Sequence, residues 1–221
     1  MLSDLLYSLK ETEFFFNLFG YISFRSGLSL VTSFFIVIIL MPHWIRFQKS
    51  IFPSGQPIRN DGPDTHYRKK GTPTLGGVLI LFSIILSSIL WTSNFSSFNY
   101  ILIMTLTLFG LIGLVDDFQK VKIGKGISSK TKFLSQLLAT LIIYLTIKYN
   151  GFDLNKFSIP FLKDVSIELG YLYFVLILLI VIGSTNATNL TDGLDGLVSM
   201  PLIFVFLTFA IFAYVLSLIH I

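Results

Sequence analysis

The chain has 221 residues, 53% hydrophobic and only 13% charged, where soluble domains carry roughly a quarter charged residues. A globule of this composition could not cover itself with polar groups, and 23 Phe with a net charge of +4 exclude intrinsic disorder. The absence of Cys excludes a disulfide framework, a thiolate nucleophile and Cys-ligated zinc or iron–sulfur centres, and so small a positive charge implies no nucleic-acid partner; the expected partner is a lipid bilayer.

The N-terminal stretch carries Lys10, Glu11, Glu13 and Arg25 around FFFNLFG. It lacks the basic start and small-residue cleavage site of a signal peptide. Residues 1–20 are therefore expected as a helix lying on the membrane interface. A spanning helix needs about 20 apolar residues to cross roughly 30 Å of hydrocarbon. Six stretches qualify, at roughly 27–45, 75–92, 99–115, 133–149, 170–186 and 197–219. The second, LGGVLILFSIILSSILW, and the fifth, YLYFVLILLIVIG, hold no charge. Pro42 lies near the end of the first, and Ser135, Gln136 and Thr140 lie within the fourth. With no internal repeat or linker, the pattern predicts an all-α polytopic membrane helix bundle of about six transmembrane helices, as a single membrane domain over residues 1–221.

Lys and Arg accumulate on the cytoplasmic side of membrane proteins. The segments of about 46–73 and 116–132 contain Arg46, Lys49, Arg59, Arg68, Lys69, Lys70, Lys120, Lys122, Lys125, Lys130 and Lys132, eleven of the sixteen basic residues. These segments, with 187–196, are expected inside, and both termini outside. The same face gathers Asp61, Asp64, Asp116, Asp117, Asp192 and Asp195.

Three of these segments carry chemistry. After the uncharged run from Ile101 to Val115, two carboxylates follow at once in GLVDDFQK. Such a pair near hydrocarbon is costly and calls for a cation. Adjacent helical residues point about 100° apart, so one aspartate can bind a metal while the other meets a second group. Hard oxygen donors without Cys suit magnesium or manganese. In GSTNATNLTDGLDGL, Asp192 and Asp195 share a face if they open the last helix, with Asn186, Thr188, Asn189 and Thr191 adding polar groups. In IRNDGPDTHYRKKGTPTLGG, Lys69 and Lys70 can neutralise phosphate, and Thr72 and Thr74 can donate hydroxyls ahead of a helix N-terminus, which favours anions. Lysines in KVKIGKGISSK would focus a polyanion toward the aspartates. Together these features suggest phosphoryl or pyrophosphate chemistry at the membrane edge. Solvated helix ends and positive-inside topology are the plainer readings of the same residues.

The motifs DGPDTHYRKKGTPTLGG, LVDDFQK and NATNLTDGLDGL, in that order and separated by spans, resemble those of the phospho-N-acetylmuramoyl-pentapeptide-transferases, within the polyprenyl-phosphate sugar-1-phosphate transferase superfamily. The resemblance implies Mg²⁺-dependent transfer of phospho-MurNAc-pentapeptide from UDP-MurNAc-pentapeptide to undecaprenyl phosphate. The products would be lipid I and UMP, formed for peptidoglycan synthesis at the cytoplasmic face of a bacterial inner membrane. It implies catalytic roles for Asp116 and Asp117, a metal held by Asp116, Asp117 and Asp192, and nucleotide-sugar contacts from Lys70 and Thr74. It also implies a uridine region lined by Asn189, Asp192, Gly193, Leu194 and Asp195, and diphosphate attraction by Lys120, Lys125 and Lys132. The family has about ten spans, a later aspartate and a run of histidines, and can pair as a homodimer. This chain stops after the sixth span with only His43, His66 and His220, so it is expected to be truncated and inactive alone. GlcNAc-1-phosphate transfer to a polyprenyl phosphate is the alternative within enzymes, and a non-catalytic membrane subunit or remnant the alternative outside them.

Overall fold

The computed structural model describes residues 2–53, 73–93, 95–159, 162, 165–192 and 196–219. Nearly all are helical. The helices are α1 (Leu2–Ser8), α2 (Ile22–Ile51), α3 (Gly76–Trp91), α4 (Ser97–Ile123), α5 (Ser129–Tyr149), α6 (Leu172–Thr191) and α7 (Ser199–Ile219). The chain separates into two compact units, Met1–Phe152 and Asp153–Ile221.

Helices α2 to α7 fall on the six apolar stretches. Among the described residues, five of them are long and apolar enough to cross a membrane. The sixth, α3, has 16 residues and is about 24 Å long at the α-helical rise, shorter than a hydrocarbon core of roughly 30 Å. Apolar side chains stand out from these helices, Leu179 and Phe206 being 66% and 67% exposed. Such faces are unfavourable in water and call for lipid or other apolar surface against them. The expected helical, multi-pass membrane architecture is the one observed, with one short β-hairpin added to it.

In the first unit, α2 and α3 pair through two indoles at opposite ends. Trp91 Nε1 donates to Thr32 Oγ1 at 2.9 Å, and Trp44 Nε1 donates to the Leu75 carbonyl at 3.2 Å. Between them Ser83 and Ser87 are buried, their hydroxyls folded back onto the carbonyls of Ile80 and Ile84. Small side chains of this kind let membrane helices approach closely. Pro42 does not end α2, which is 30 residues long and extends past the apolar stretch on both sides; neighbouring groups in membrane helices satisfy the backbone that an internal proline frees. Gly110 lets α4 meet α3, since a Cβ there would overlap Leu81 Cδ1. Gln136, Ala139, Thr140 and Ile143 are the buried residues of α5, a helical spacing that defines one face.

The N-terminal stretch is not a single helix. It breaks after Ser8 into 3-10 turns at Leu9–Glu11 and Phe14–Gly20, with Glu13 extended at φ −142°. Aromatic packing draws the second turn onto the bundle: Phe19 is 8% exposed, stacks on Trp91 at 6.0 Å and meets Phe24 edge-on at 5.3 Å.

In the second unit an antiparallel hairpin precedes α6. Its strands, β1 (Lys156–Ser158) and β2 (Ser166–Glu168), set Lys156 opposite Glu168 and Phe157 opposite Ile167. Pro201 sits in the first turn of α7, where its missing N–H leaves no helical bond unmade.

Candidate functional site

The apolar stretch ends at Val115, but the helix that carries it does not. Helix α4 continues through Asp116 and Asp117 to Ile123, with Lys120 and Lys122 in its last turn, where cations suit the helix dipole. Gly124, left-handed at φ 81°, ends it, a conformation glycine adopts without penalty. Ser128 then caps α5, its Oγ accepting the Thr131 N–H at 3.1 Å. The segment 116–132 is therefore mostly helix, with a short reversal over 124–128 that returns Lys132 of α5 to the side of α4.

That reversal assembles a charge cluster. Lys120 Nζ lies 2.8 Å from Asp116 Oδ2 and 2.9 Å from Asp117 Oδ1. Lys132 Nζ reaches Asp116 Oδ2 at 3.5 Å, and the Ile127 N–H donates to Asp116 Oδ1 at 3.0 Å. The two aspartates differ sharply in exposure, 8% for the Asp116 side chain against 39% for Asp117. Asp116 is thus held from both oxygens inside the fold, while Asp117 shares one lysine and stays open to an incoming group. Two carboxylates and two ammonium groups balance in charge, so the cluster presents both signs within a few ångströms of a helix end.

The structure brings Asp116, Asp117, Lys120 and Lys132 together. Lys125 is exposed on the reversal. Thr74 is half-buried ahead of α3, beside a small recess lined by Gln48, Phe52 and Pro73. Lys70, Gly193, Leu194 and Asp195 lie outside the described residues. In the second unit Asn189 is exposed in the last turn of α6. Asp192 caps the C-terminus of that helix, its N–H donating to the Thr188 carbonyl at 3.2 Å. It does not open the last helix, which begins at Ser199, because the polar run that starts at Ser184 continues α6 to Thr191, past its apolar part. A larger cleft of about 510 Å³ lies elsewhere, between α2 and α3, and is lined by Arg25 and Ser29 among others; none of the cluster's residues line it.

Sequence reasoning did not single out Ile127, Gly126 or Gln48. Gln48 is 5% exposed, and its Nε2 has no hydrogen-bond partner among the described residues. The Gly-Lys-Gly spacing of 124–126 signals a turn, but which carboxylate the turn would cover is a tertiary fact.

The donors present fit a hard divalent cation in part. Asp117 offers an open carboxylate next to Asp116, and Mg²⁺ is ordinarily held by one or two carboxylates with waters and substrate phosphates completing the shell. No group of three or more His, Cys, Asp or Glu gathers among the described residues.

Apolar helices long enough to span a bilayer, with an acid–lysine cluster toward one helix end, define a multi-pass helical membrane protein. Residues 99–221 match the glycosyl transferase family 4, and the chain belongs to that family. It is similar to the phospho-N-acetylmuramoyl-pentapeptide-transferase of Desulforapulum autotrophicum, 45% identical over 220 residues, 98% of this chain and 61% of that protein. The enzyme of the same name from Rickettsia prowazekii is 40% identical with the same coverage. That of Desulfotalea psychrophila is 39% identical over 187 residues, 83% of this chain and 52% of that protein. The resemblance carried by the three motifs therefore holds along nearly the whole chain, which spans about three fifths of the length of the first of these relatives.

Proposed function

We infer that the chain forms part of a transferase that moves phospho-MurNAc-pentapeptide from UDP-MurNAc-pentapeptide to undecaprenyl phosphate, giving lipid I and UMP for peptidoglycan synthesis. The observation that carries this reading is the Asp116–Asp117 pair bridged by Lys120 and approached by Lys132, in a membrane chain 45% identical to an enzyme of that name. The basic segments would face the cytoplasm, so the nucleotide sugar arrives from the aqueous side and the prenyl phosphate from the bilayer.

An oxygen of the lipid phosphate attacks the sugar-linked phosphorus directly. One P–O bond forms, the P–O bond to UMP breaks, and UMP leaves with the electron pair. Lys120 and Lys132 neutralise phosphate oxygens, and positioning with charge neutralisation does most of the work in phosphoryl transfer. Asp117, the open carboxylate, would hold Mg²⁺, with Asp116 joining it in the ligand role the motifs imply if its lysines turn to the phosphates; when bound, the ion supplies positive charge to the diphosphate. Lys70, Thr74, Lys125, Asn189, Asp192, Gly193, Leu194 and Asp195 keep the binding roles the motifs imply, Asp192 as a metal ligand as well.

The test measures UMP release in membranes containing undecaprenyl phosphate. UDP-MurNAc-pentapeptide is compared with UDP-GlcNAc, for this chain and for the chain extended by the part of the Desulforapulum relative it does not span. Release with the first donor, abolished in Asp116→Asn/Asp117→Asn and by removing Mg²⁺, is expected from the extended chain. Release only with UDP-GlcNAc would reassign the donor, and no release with either would overturn the reading.

A further inference from the structure

We propose that Gly126 is a positioning residue for the carboxylate pair, a role that rests on the transferase reading above. A Cβ built on Gly126 would overlap Asp116 Oδ1 and come within 3.2 Å of Lys120 Cε. The neighbouring Ile127 N–H is the group that holds that same oxygen, at 3.0 Å. The backbone of the reversal therefore lies directly on the Asp116 carboxylate, at a distance only a residue without a side chain permits. Lodging Oδ1 under the turn directs Oδ2 toward Lys120 and Lys132. With Asp116 and its lysines fixed, Asp117 is the carboxylate left facing outward, 39% exposed. The reversal thus sets which of two chemically identical neighbours is free to meet an incoming cation or phosphate. A side chain at 126 would lift the turn or swing Asp116 out, and either movement breaks the Ile127 bond. Gly113, on the same helix as the pair, is a natural control, because a Cβ there meets nothing within 4 Å.

The experiment uses the full chain in detergent micelles and reads two quantities. The first is hydrogen exchange at the Ile127 amide. Gly126→Ala is expected to speed it by on the order of tenfold, as loss of a hydrogen bond to a charged acceptor implies. Gly113→Ala should leave it unchanged, and Gly126→Ala should add nothing in an Asp116→Ala background. An Ile127 amide as protected in Gly126→Ala as in the parent overturns the proposal. Should that variant not fold, Asp116→Ala alone must expose the amide, and its failure to do so has the same force. The second is Mn²⁺ binding by electron paramagnetic resonance, with Mn²⁺ as the probe. Weaker binding in Gly126→Ala supports the proposal, and equal binding in parent and variant contradicts it. If the parent binds no Mn²⁺, the metal part of the transferase reading falls, and the exchange measurement alone decides whether Gly126 holds Asp116.

Discussion

Replacing Lys120 with Met tests whether the charge cluster is a structural unit. The substitution keeps the aliphatic stem and removes the ammonium that sits 2.8 Å from Asp116 and 2.9 Å from Asp117. Stripping the partner from a fully buried charge costs about 3–5 kcal/mol, whereas an exposed pair is worth about 0–1 kcal/mol. Lys120 is 29% exposed, and Asp116 would keep Lys132 and the Ile127 amide, so the cost should fall between these limits, at about 2 kcal/mol. Asp117→Asn, at a more open carboxylate, should cost roughly 0.5 kcal/mol. In the Asp116→Asn background the Lys120→Met penalty should shrink by about 1 kcal/mol, the signature of coupled neighbours. Unfolding in mixed micelles by added dodecyl sulfate, followed by the fluorescence of Trp44 and Trp91, measures all of these. Lys125→Met, at an exposed lysine on the same turn, is the reference. Equal stability for Lys120→Met and Lys125→Met would refute the reasoning.

Gly110→Ala forces Leu81 to move and should destabilise the α3–α4 contact by about 1–3 kcal/mol, while Gly113→Ala, which meets nothing, should be neutral or gain up to about 1 kcal/mol of helix propensity; the same unfolding assay separates them. Trp91→Phe keeps the ring beside Phe19 but loses the bond to Thr32, and should cost about 1 kcal/mol, read by loss of midpoint with Trp44 as the remaining reporter. Ser128→Ala removes the cap of α5 at about 1 kcal/mol, and amide exchange over 129–131 should speed up with α4 unchanged. Exchange that accelerates equally in both helices would contradict a local capping role.

The spans were legible because lipid imposes one rule on composition: a run of apolar residues of sufficient length must be a helix. The ends of helices obey a different rule, and there the sequence is less direct. Asp116 and Asp117 mark where the apolar surface of α4 stops, yet the helix goes on to Ile123, because a polar helix outside the hydrocarbon loses nothing and gains the Asp116–Lys120 pair at i, i+4. The same difference separates the apolar end of α6 from its true end at Thr191. The hairpin escaped reading because its strands are three residues each, too short for alternation to register.

For the site, residue types at the right spacing exposed the pair and its first lysine, but not the division of roles between the two aspartates. That division comes from a turn whose glycine has no side chain, so the informative feature is an absence that no tally of donors and charges detects. Two identical carboxylates one residue apart become unlike only when one is covered. Here the cover is backbone, which leaves the lysines free to act on both sides of the pair: Lys132 secures the covered aspartate, and Lys120, touching both, ties the position of the open one to it. A perturbation of the turn should therefore be felt at Asp117 through Lys120, although the Ile127 amide bonds Asp116 and a side chain at Gly126 would press first on Asp116 and Lys120.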